Sequence, residues 1–398
     1  MKPGWELKKL GEVAEYFNGL TYSPKDVSHK GTVVLRSSNI QNDELDFSDI
    51  VRVSVNIKEK LFVKDGDILM CSRNGSQRLV GKTAPILNLK EPMTFGTFMM
   101  IVRSEFSPYL LWFFKTDEFK KQISGGENTM INQVTRYMLD EIEVPLPPLP
   151  EQQRIVSILD EAFDAISKAK SNADQNLKNA KELFESYLQS VFDIGNWEVK
   201  KLNDITEVKD GTHDSPKYIA EGIPFVTQKN IRQDGLSFSD TRFITDTDHE
   251  KFYKRSNVTH GDILISMIGA NRGMAALVDD KRTFSIKNVG LIKESKNIDN
   301  NYLLYYLKSA AAMKYVLYMS NGGAQEFVGL TALRSFPIPC PSLGEQLTIV
   351  QKLDALSIET KRLGAIYHQK IADLDELKKS ILQKAFNGEL KTTHLINA

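Results

Sequence analysis

The nearest approach to a chemical motif in this sequence is Gly75-Ser76-Gln77-Arg78-Leu79-Val80-Gly81-Lys82-Thr83. A phosphate-binding loop of the form GxxxxGK, closed by Ser or Thr, cradles phosphates with backbone amides and the lysine. Here the first glycine stands one place too early, because the required position holds Ser76. The stretch also lies between two short β-type runs, with no helical pattern after Thr83. A nucleotide site is therefore not expected. The better reading is a Gly-rich hairpin presenting Arg73, Asn74, Ser76, Gln77 and Arg78, with Lys82 beside them. The matching stretch further along, Gly269-Ala270-Asn271-Arg272-Gly273-Met274, has no lysine and presents Asn271 and Arg272.

Other patterns of catalysis and metal binding are missing. The 6 histidines show no metal-ligand spacing. GxSxG, HExxH and GxGxxG do not occur. An amino-methyltransferase would carry Asn or Asp, two prolines and an aromatic residue. Pro147-Pro148 fails that pattern, with Leu146 before it and Leu149 after it. Asp67 and Asp262 sit in Asp-Gly-Asp and His-Gly-Asp contexts, where turn formation before a strand accounts for them. No catalytic residue, metal or cofactor is expected.

What remains is hydrogen-bonding chemistry on loops. Arg36-Ser37-Ser38-Asn39 and Thr227-Gln228-Lys229-Asn230 follow equivalent β-type runs. Arg, Lys, Asn and Gln can hydrogen-bond base edges, and Ser and Thr can reach bases or phosphates. The copies match at Asn39 and Asn230 but differ at Arg36 against Thr227 and at Ser37 against Gln228. A shared scaffold with divergent tips suits two DNA half-sites of different sequence. Composition alone favours a solvated polar loop over a recognition loop.

The elements that would position these loops repeat. Trp5-Glu6-Leu7-Lys8-Lys9-Leu10 returns as Trp197-Glu198-Val199-Lys200-Lys201-Leu202, and Gly66-Asp67-Ile68-Leu69 as Gly261-Asp262-Ile263-Leu264. Gly19, Ser23 and Pro24 return as Gly211, Ser215 and Pro216. The order is constant at a spacing of roughly 190 residues, which means two whole domains rather than a solenoid. Each copy opens with short β-type runs, such as Thr32 to Leu35 and Asp67 to Met70, between Gly, Asn and Asp turn signals. One aromatic-rich helix interrupts them, about Pro108 to Lys121 in the first copy and near Asn300 to Tyr318 in the second. Without regular strand–helix alternation, the class is α+β.

A long helix closes each copy. Pro145, Pro147, Pro148 and Pro150 bar a helix before Glu151. The stretch to Phe192 lacks Gly and Pro and carries a 4,3 stripe: Leu159, Ala162, Ile166, Ala169, Ala173, Asn176, Ala180, Leu183, Tyr187. The second copy has the same phase: Leu353, Leu356, Thr360, Leu363, Tyr367, Lys370, Leu374, Leu377, Ile381. At 1.5 Å per residue the first would span about 60 Å. The two stripes are expected to pack as an antiparallel coiled coil with pseudo-twofold symmetry and the globular halves at opposite ends. Asn176 and Lys370 either fix register or face solvent. The expected organisation is a first domain over 1–150, a central spacer helix over 151–192, a second domain over 193–344, a C-terminal spacer helix over 345–391 and a tail over 392–398.

Composition bounds the rest. A chain of 398 residues suits two domains plus connectors. The charges balance to +0, so any grip on DNA must come from local patches rather than bulk charge. The 2 cysteines lie far apart, and no apolar run suggests a signal or a membrane span, so a cytoplasmic location is expected.

The duplicated order resembles the specificity subunit of type I restriction-modification systems. The two Trp openings and the two Gly-Asp-Ile-Leu turns carry it in part. The helix starts carry it most: Ile142-Glu143-Val144-Pro145-Leu146-Pro147-Pro148-Leu149-Pro150-Glu151-Gln152 keeps the family's P-L-P-P-L-x-E-Q pattern. The second start departs, with Cys340, Ser342 and Gly344 replacing Leu146, Pro148 and Pro150, but keeps Pro341 and Glu345-Gln346. Ser380 to Leu390 also looks like the family's C-terminal end. The resemblance implies two target recognition domains that each read half of a bipartite DNA site. It implies spacer helices that set the gap and dock two methyltransferase subunits, with restriction and translocase subunits completing the complex. It also implies that this chain is not itself an enzyme. The alternative is a coiled-coil scaffold that reads no DNA sequence, for which the neutral charge leaves room.

Overall fold

The computed structural model describes residues 2–124, 133–319 and 327–390. It divides into two compact units, Met1–Ala173 with Gln369–Ala398, and Asp174–His368. The division falls inside both long helices, Leu149–Ile194 and Leu343–Phe386. The expected tail over 392–398 lies outside the described residues, and the last helix, expected to run to 391, ends at Phe386.

The two units share a plan. In unit 1 a four-stranded antiparallel sheet has the order Glu15–Asn18, Met99–Arg103, Ile68–Cys71, Thr83–Pro85. In unit 2 the same order is made by Val208–Asp210, Val289–Ile292, Ile263–Ser266 and Ala275–Leu277. A three-stranded sheet accompanies each. Val27–Leu35 pairs antiparallel with Val51–Val53 and parallel with Met93–Phe95. Ile223–Val226 pairs antiparallel with Arg242–Ile244 and parallel with Ser285–Ile286. Helices do not alternate regularly with the strands, and most of them follow the sheets, so each unit is α+β.

The aromatic-rich helix is not one helix in either unit. It is Ser107–Phe113 then Asp117–Ile123 in unit 1, and Asn300–Lys308 then Ala310–Met319 in unit 2. A hydroxyl ends each first piece and caps the second. Thr116 Oγ1 accepts from the Phe119 amide at 3.1 Å, and Ser309 Oγ from the Ala312 amide at 3.3 Å. Such side chains compete with the helix ladder and start a new helix instead. Unit 2 also has a helix at Asp246–Ser256, capped by Thr245. Unit 1 has only the short 3-10 turn Glu59–Leu61 at that stage of the chain.

The helix starts show why Glu-Gln follows proline. The first long helix begins at Leu149, not Glu151, because the first turn tolerates Pro150. Gln152 and Gln346 are buried, and their Nε2 groups donate to the carbonyls of Pro147 at 2.8 Å and Pro341 at 2.9 Å. Those carbonyls lie where proline permits no helical partner, and the glutamines satisfy them. Tyr109 and Tyr302 do the same one layer deeper, donating to Pro145 O at 2.6 Å and Pro339 O at 2.9 Å. Glu345 accepts from the amide and hydroxyl of Ser342, a capping arrangement. Glu151 instead pairs with Arg154 at 2.7 Å and Lys2 at 3.1 Å, which hold its carboxyl down at about 2.

Within each unit the long helices run antiparallel. In unit 1, Arg154 reaches the carbonyl of Leu390 at 3.2 Å and Lys170 pairs with Asp375 at 2.7 Å, so one number rises as the other falls. Leu159, Ala162, Ile166 and Ile381 sit in one core with Tyr109, Phe113 and Phe386, and Leu374 packs on it. Ala173 is buried and Ala169 half-buried. In unit 2, Leu188, Phe192 and Leu353 share a core with Tyr302 and Tyr306, and Tyr187 packs on it. Leu356, Leu363 and Tyr367 are half-buried.

The strict heptad fails in part. Leu183 and Leu377, read as seam residues, are 54% and 45% exposed. Phe184 packs on the unit 2 core instead of Leu183, and Leu177 is half-buried in place of the exposed Asn176. An α-helix turns every 3.6 residues, so a 3.5-residue stripe drifts by about 20° per heptad. Over a helix of 46 residues the buried face therefore slips by one position. Asn176 and Lys370 both face solvent.

Candidate nucleic-acid interface

The strand Val27–Leu35 leads into a 3-10 turn at Ser37–Asn39, and Ile223–Val226 into one at Gln228–Asn230. An asparagine closes both turns, and neither is available to DNA. Asn39 is 1% and Asn230 4% exposed. Asn39 Nδ2 donates to the carbonyls of Asp46 and Asp49, both at 2.9 Å, while its Oδ1 accepts from the Arg36 amide. Asn230 Nδ2 donates to Ser237 O and Thr241 Oγ1, both at 3.0 Å, and its Oδ1 accepts from the Thr227 amide. An amide so saturated and buried cannot turn to a base, which corrects the sequence reading of both residues. They fasten the turn to the hairpin that follows.

The neighbouring side chains are outside. Arg36 is half-buried and pairs with Asp49 at 2.7 Å. Ser37 and Gln228 are half-buried, Lys229 is exposed, and the Thr227 hydroxyl accepts from the Lys229 amide. The Gly-rich loops join adjacent antiparallel strands of the four-stranded sheets, as a hairpin should. The first contains a three-residue 3-10 turn, Gln77–Leu79, and leads into a strand at Thr83 rather than the helix a phosphate loop requires. Arg73, Ser76, Gln77, Arg78 and Asn271 are exposed, and Lys82 is half-buried. Arg272 donates to the Gly269 carbonyl at 3.2 Å.

The fold brings the two loops of each unit together. Asn74 Nδ2 donates to Ser37 Oγ at 3.2 Å, and Ser266 Oγ donates to Gln228 Oε1 at 3.4 Å. The carboxylates Asp67 and Asp262 precede the strands Ile68–Cys71 and Ile263–Ser266, at the ends away from these loops, and are buried and structural. Asp67 receives two bonds from Arg103, at 2.6 and 2.7 Å, and Asp262 one from Lys293 at 2.6 Å. The Asp67 carboxylate holds the Arg103 guanidinium above its ordinary value.

A third segment joins each pair of loops, and sequence reasoning missed it. The parallel strand pairs place Gly96-Thr97-Phe98 beside Leu20-Thr21, and Lys287-Asn288 beside Thr212-His213. The approach is close. A Cβ on Gly19 would lie 2.0 Å from the Gly96 carbonyl oxygen, and one on Gly211 2.4 Å from that of Ile286. Only glycine fits there, and the repeated pair Gly19 and Gly211 was the signal in the sequence. In unit 1 the hydroxyls of Thr21 and Thr97 lie 2.7 Å apart, and the amides of Ser72 and Arg73 donate to the Phe98 carbonyl at 3.0 and 3.1 Å. In unit 2, Lys287 donates to Ser215 Oγ at 2.6 Å, and His213 bonds Asn288 at 2.7 Å and Asp210 at 3.1 Å. Close by, Lys251 donates to Asp214 and holds its carboxyl below the usual range. Among the described residues, no three or more His, Cys, Asp or Glu side chains gather as a metal would need. None of the described helices is long and apolar enough to cross a membrane.

Comparison with known proteins gives a consistent result. The profile described as the type I restriction modification DNA specificity domain matches residues 2–174 and again 194–368. The chain is 24% identical over 417 residues to the type I restriction enzyme EcoKI specificity subunit of Escherichia coli, covering 97% of this chain and 89% of that one. It is 26% identical over 434 residues to the MjaIX specificity subunit of Methanocaldococcus jannaschii, covering 98% and 94%. Among solved structures, a chain from work on complex assembly and conformational transition of the type I R-M system superposes with a TM-score of 0.76 at 19% identity, covering 98% and 99%. The HsdS subunit from Thermoanaerobacter tengcongensis does so at 0.66 and 19%, covering 98% of each. At that identity these two likenesses speak for the fold.

Proposed function

The chain belongs to the type I restriction modification DNA specificity family, a non-catalytic component, and from that premise we propose that each unit reads one half of a bipartite duplex site. One observation carries the reading. Equivalent scaffolds in the two units gather equivalent loops, and the side chains on those loops differ: Arg36 and Ser37 in one, Thr227 and Gln228 in the other. A common frame with different hydrogen-bonding tips reads two different base sequences.

The domains over 1–150 and 193–344 then act as target recognition domains. The long helices set the distance between half-sites and dock two methyltransferase subunits, and restriction and translocase subunits join that assembly. The chain's mechanism is placement. Its own residues bind and orient duplex DNA, and the partners bring the methyl donor and the chemistry. Half-sites read from one face of the duplex are separated by about one helical turn, 34 Å, or a multiple of it.

Methylation sequencing of a host expressing this chain with its methyltransferase tests the reading. The expected result is a single split motif with a fixed gap. A contiguous motif, or methylation without sequence preference, would overturn it. Matched seven-residue insertions within Asn172 to Asn179 and opposite it in the second helix should alter the gap and leave both half-sites unchanged. An unaltered gap would remove the helices from the role of spacer.

A further inference from the structure

The third segment of each unit carries a side chain whose binding capacity the fold leaves partly unused. Phe98 is 56% exposed, although its backbone is pinned. Its carbonyl accepts from the amides of Ser72 and Arg73, and the Arg73 guanidinium stands 5.8 Å from the ring centroid. The ring is thus held beside the Gly-rich loop instead of folding onto the core. A groove of about 700 Å³ next to it is walled in part by Arg36 and Ser37. An exposed aromatic ring at a surface that meets duplex DNA has no donor to offer. What it can meet there is the thymine methyl group, the one apolar feature of the major-groove edge.

Unit 2 is one residue shorter at this place and presents a cation. Lys287 uses one of its three donors on Ser215 Oγ and has two to spare. The segment is fixed by a ladder of side chains. Arg255 donates to Asp210 at 2.6 Å, Asp210 meets His213, and His213 meets Asn288. Asp210 is 6% exposed, so the ladder is rooted in the unit rather than in solvent. Asn288 takes a φ of +53°, which turns the chain sharply after Lys287. A lysine so placed matches the O6 and N7 acceptors of guanine.

We propose that this third segment fixes one base pair in each half-site, with Phe98 contacting a thymine methyl in the half-site of unit 1 and Lys287 donating to a guanine in that of unit 2. The proposal rests on the function argued above and adds the residues and the bases they select.

The test uses the full chain expressed with its methyltransferase subunits and methylation sequencing of the host genome. Phe98→Ser should relax one thymine position of one half-site, cutting discrimination there roughly tenfold. Phe98→Leu should preserve it, because an apolar side chain remains. Lys287→Met should relax one guanine position in the other half-site by a similar factor. The gap and the remaining positions should stay as in the wild type. An unchanged motif in both Phe98→Ser and Lys287→Met overturns the proposal. So does a uniform fall in methylation at every sequence, which marks a phosphate contact. If Phe98→Ser does not fold, Phe98→Ala takes its place under the same criteria. A wild-type chain that yields no split motif would instead defeat the function from which the proposal starts.

Discussion

Replacing Asn39 or Asn230 by alanine removes a buried amide and the hydrogen bonds that tie its turn to the hairpin that follows. Each substitution should cost about 2–4 kcal/mol, because at least three hydrogen bonds of about 1 kcal/mol each go with it. Thermal melting should therefore show a lower midpoint for either variant, while the recognised bases stay the same. A changed motif with unchanged melting would return these residues to the role of readers. Their chemistry misled because an asparagine that caps a turn and one that reads adenine look alike in a sequence. The distinguishing sign was that both copies keep it while their neighbours diverge. Glu151 makes a second prediction at this scale. Its carboxyl is held at about 2 by Arg154 and Lys2, below an ordinary value near 4.5. The stabilisation is present above pH 4.5 and is lost as pH falls through 2, because the unfolded chain takes up the proton first. The group is about a fifth exposed, so solvent screening limits the effect to roughly 1 kcal/mol. Urea midpoints followed from pH 7 to pH 2 should fall more steeply in the wild type than in Glu151→Gln, and parallel curves would refute the linkage.

The long helices follow from periodicity and their antiparallel pairing from the duplication, and Leu183 marks the limit of the first inference. A heptad written on paper keeps its phase, whereas a helix of 46 residues slips its buried face. Leu183→Ser should be close to neutral, within about 0.5 kcal/mol, as for surface positions elsewhere. Phe184→Ser should cost about 2–3 kcal/mol, because that ring packs on the unit 2 core, 6.3 Å from the ring of Tyr305. Equal melting temperatures for the two would restore the strict heptad. Hydroxyl caps explain a second discrepancy. Thr116 and Ser309 lie inside apolar helical patterns, and propensity alone does not show that each ends one helix and begins another. The third loop segment was illegible for a different reason. Phe98 meets the Gly-rich loop only because a parallel strand pair joins stretches about 60 residues apart, and a hydrophobic pattern carries no record of such pairing.

At the scale of the molecule, the repeat in the sequence and the compact units do not share boundaries. The domain boundary expected from the sequence falls at 150, whereas unit 1 takes in Gln369–Ala398 as well as Met1–Ala173. The reason lies in the aromatic packing. Tyr109 and Phe113 lie 5.1 and 5.7 Å from Phe386, and Trp112 meets Phe163 edge-on at 4.5 Å. Lys2 and Gly388 are also neighbours, since a Cβ on Gly388 would lie 3.1 Å from that of Lys2. An exchange of recognition domains must respect this. Replacing 1–150 alone by the matching segment of a relative should change one half-site and keep the other. It should also lower the melting temperature, because the new rings would meet a Phe163 and Phe386 surface built for others. Aromatic pairs of this kind contribute about 0.5–1.5 kcal/mol each beyond their buried area. A hybrid that exchanges 1–173 together with 369–390 carries its own partners, so it should regain the wild-type melting temperature with the same new half-site. Methylation sequencing and thermal melting of the two hybrids, side by side, decide the matter. If both half-sites changed, the two units would not read independently. If the larger exchange melted no higher than the smaller, the C-terminal helix would not belong to unit 1 in any energetic sense.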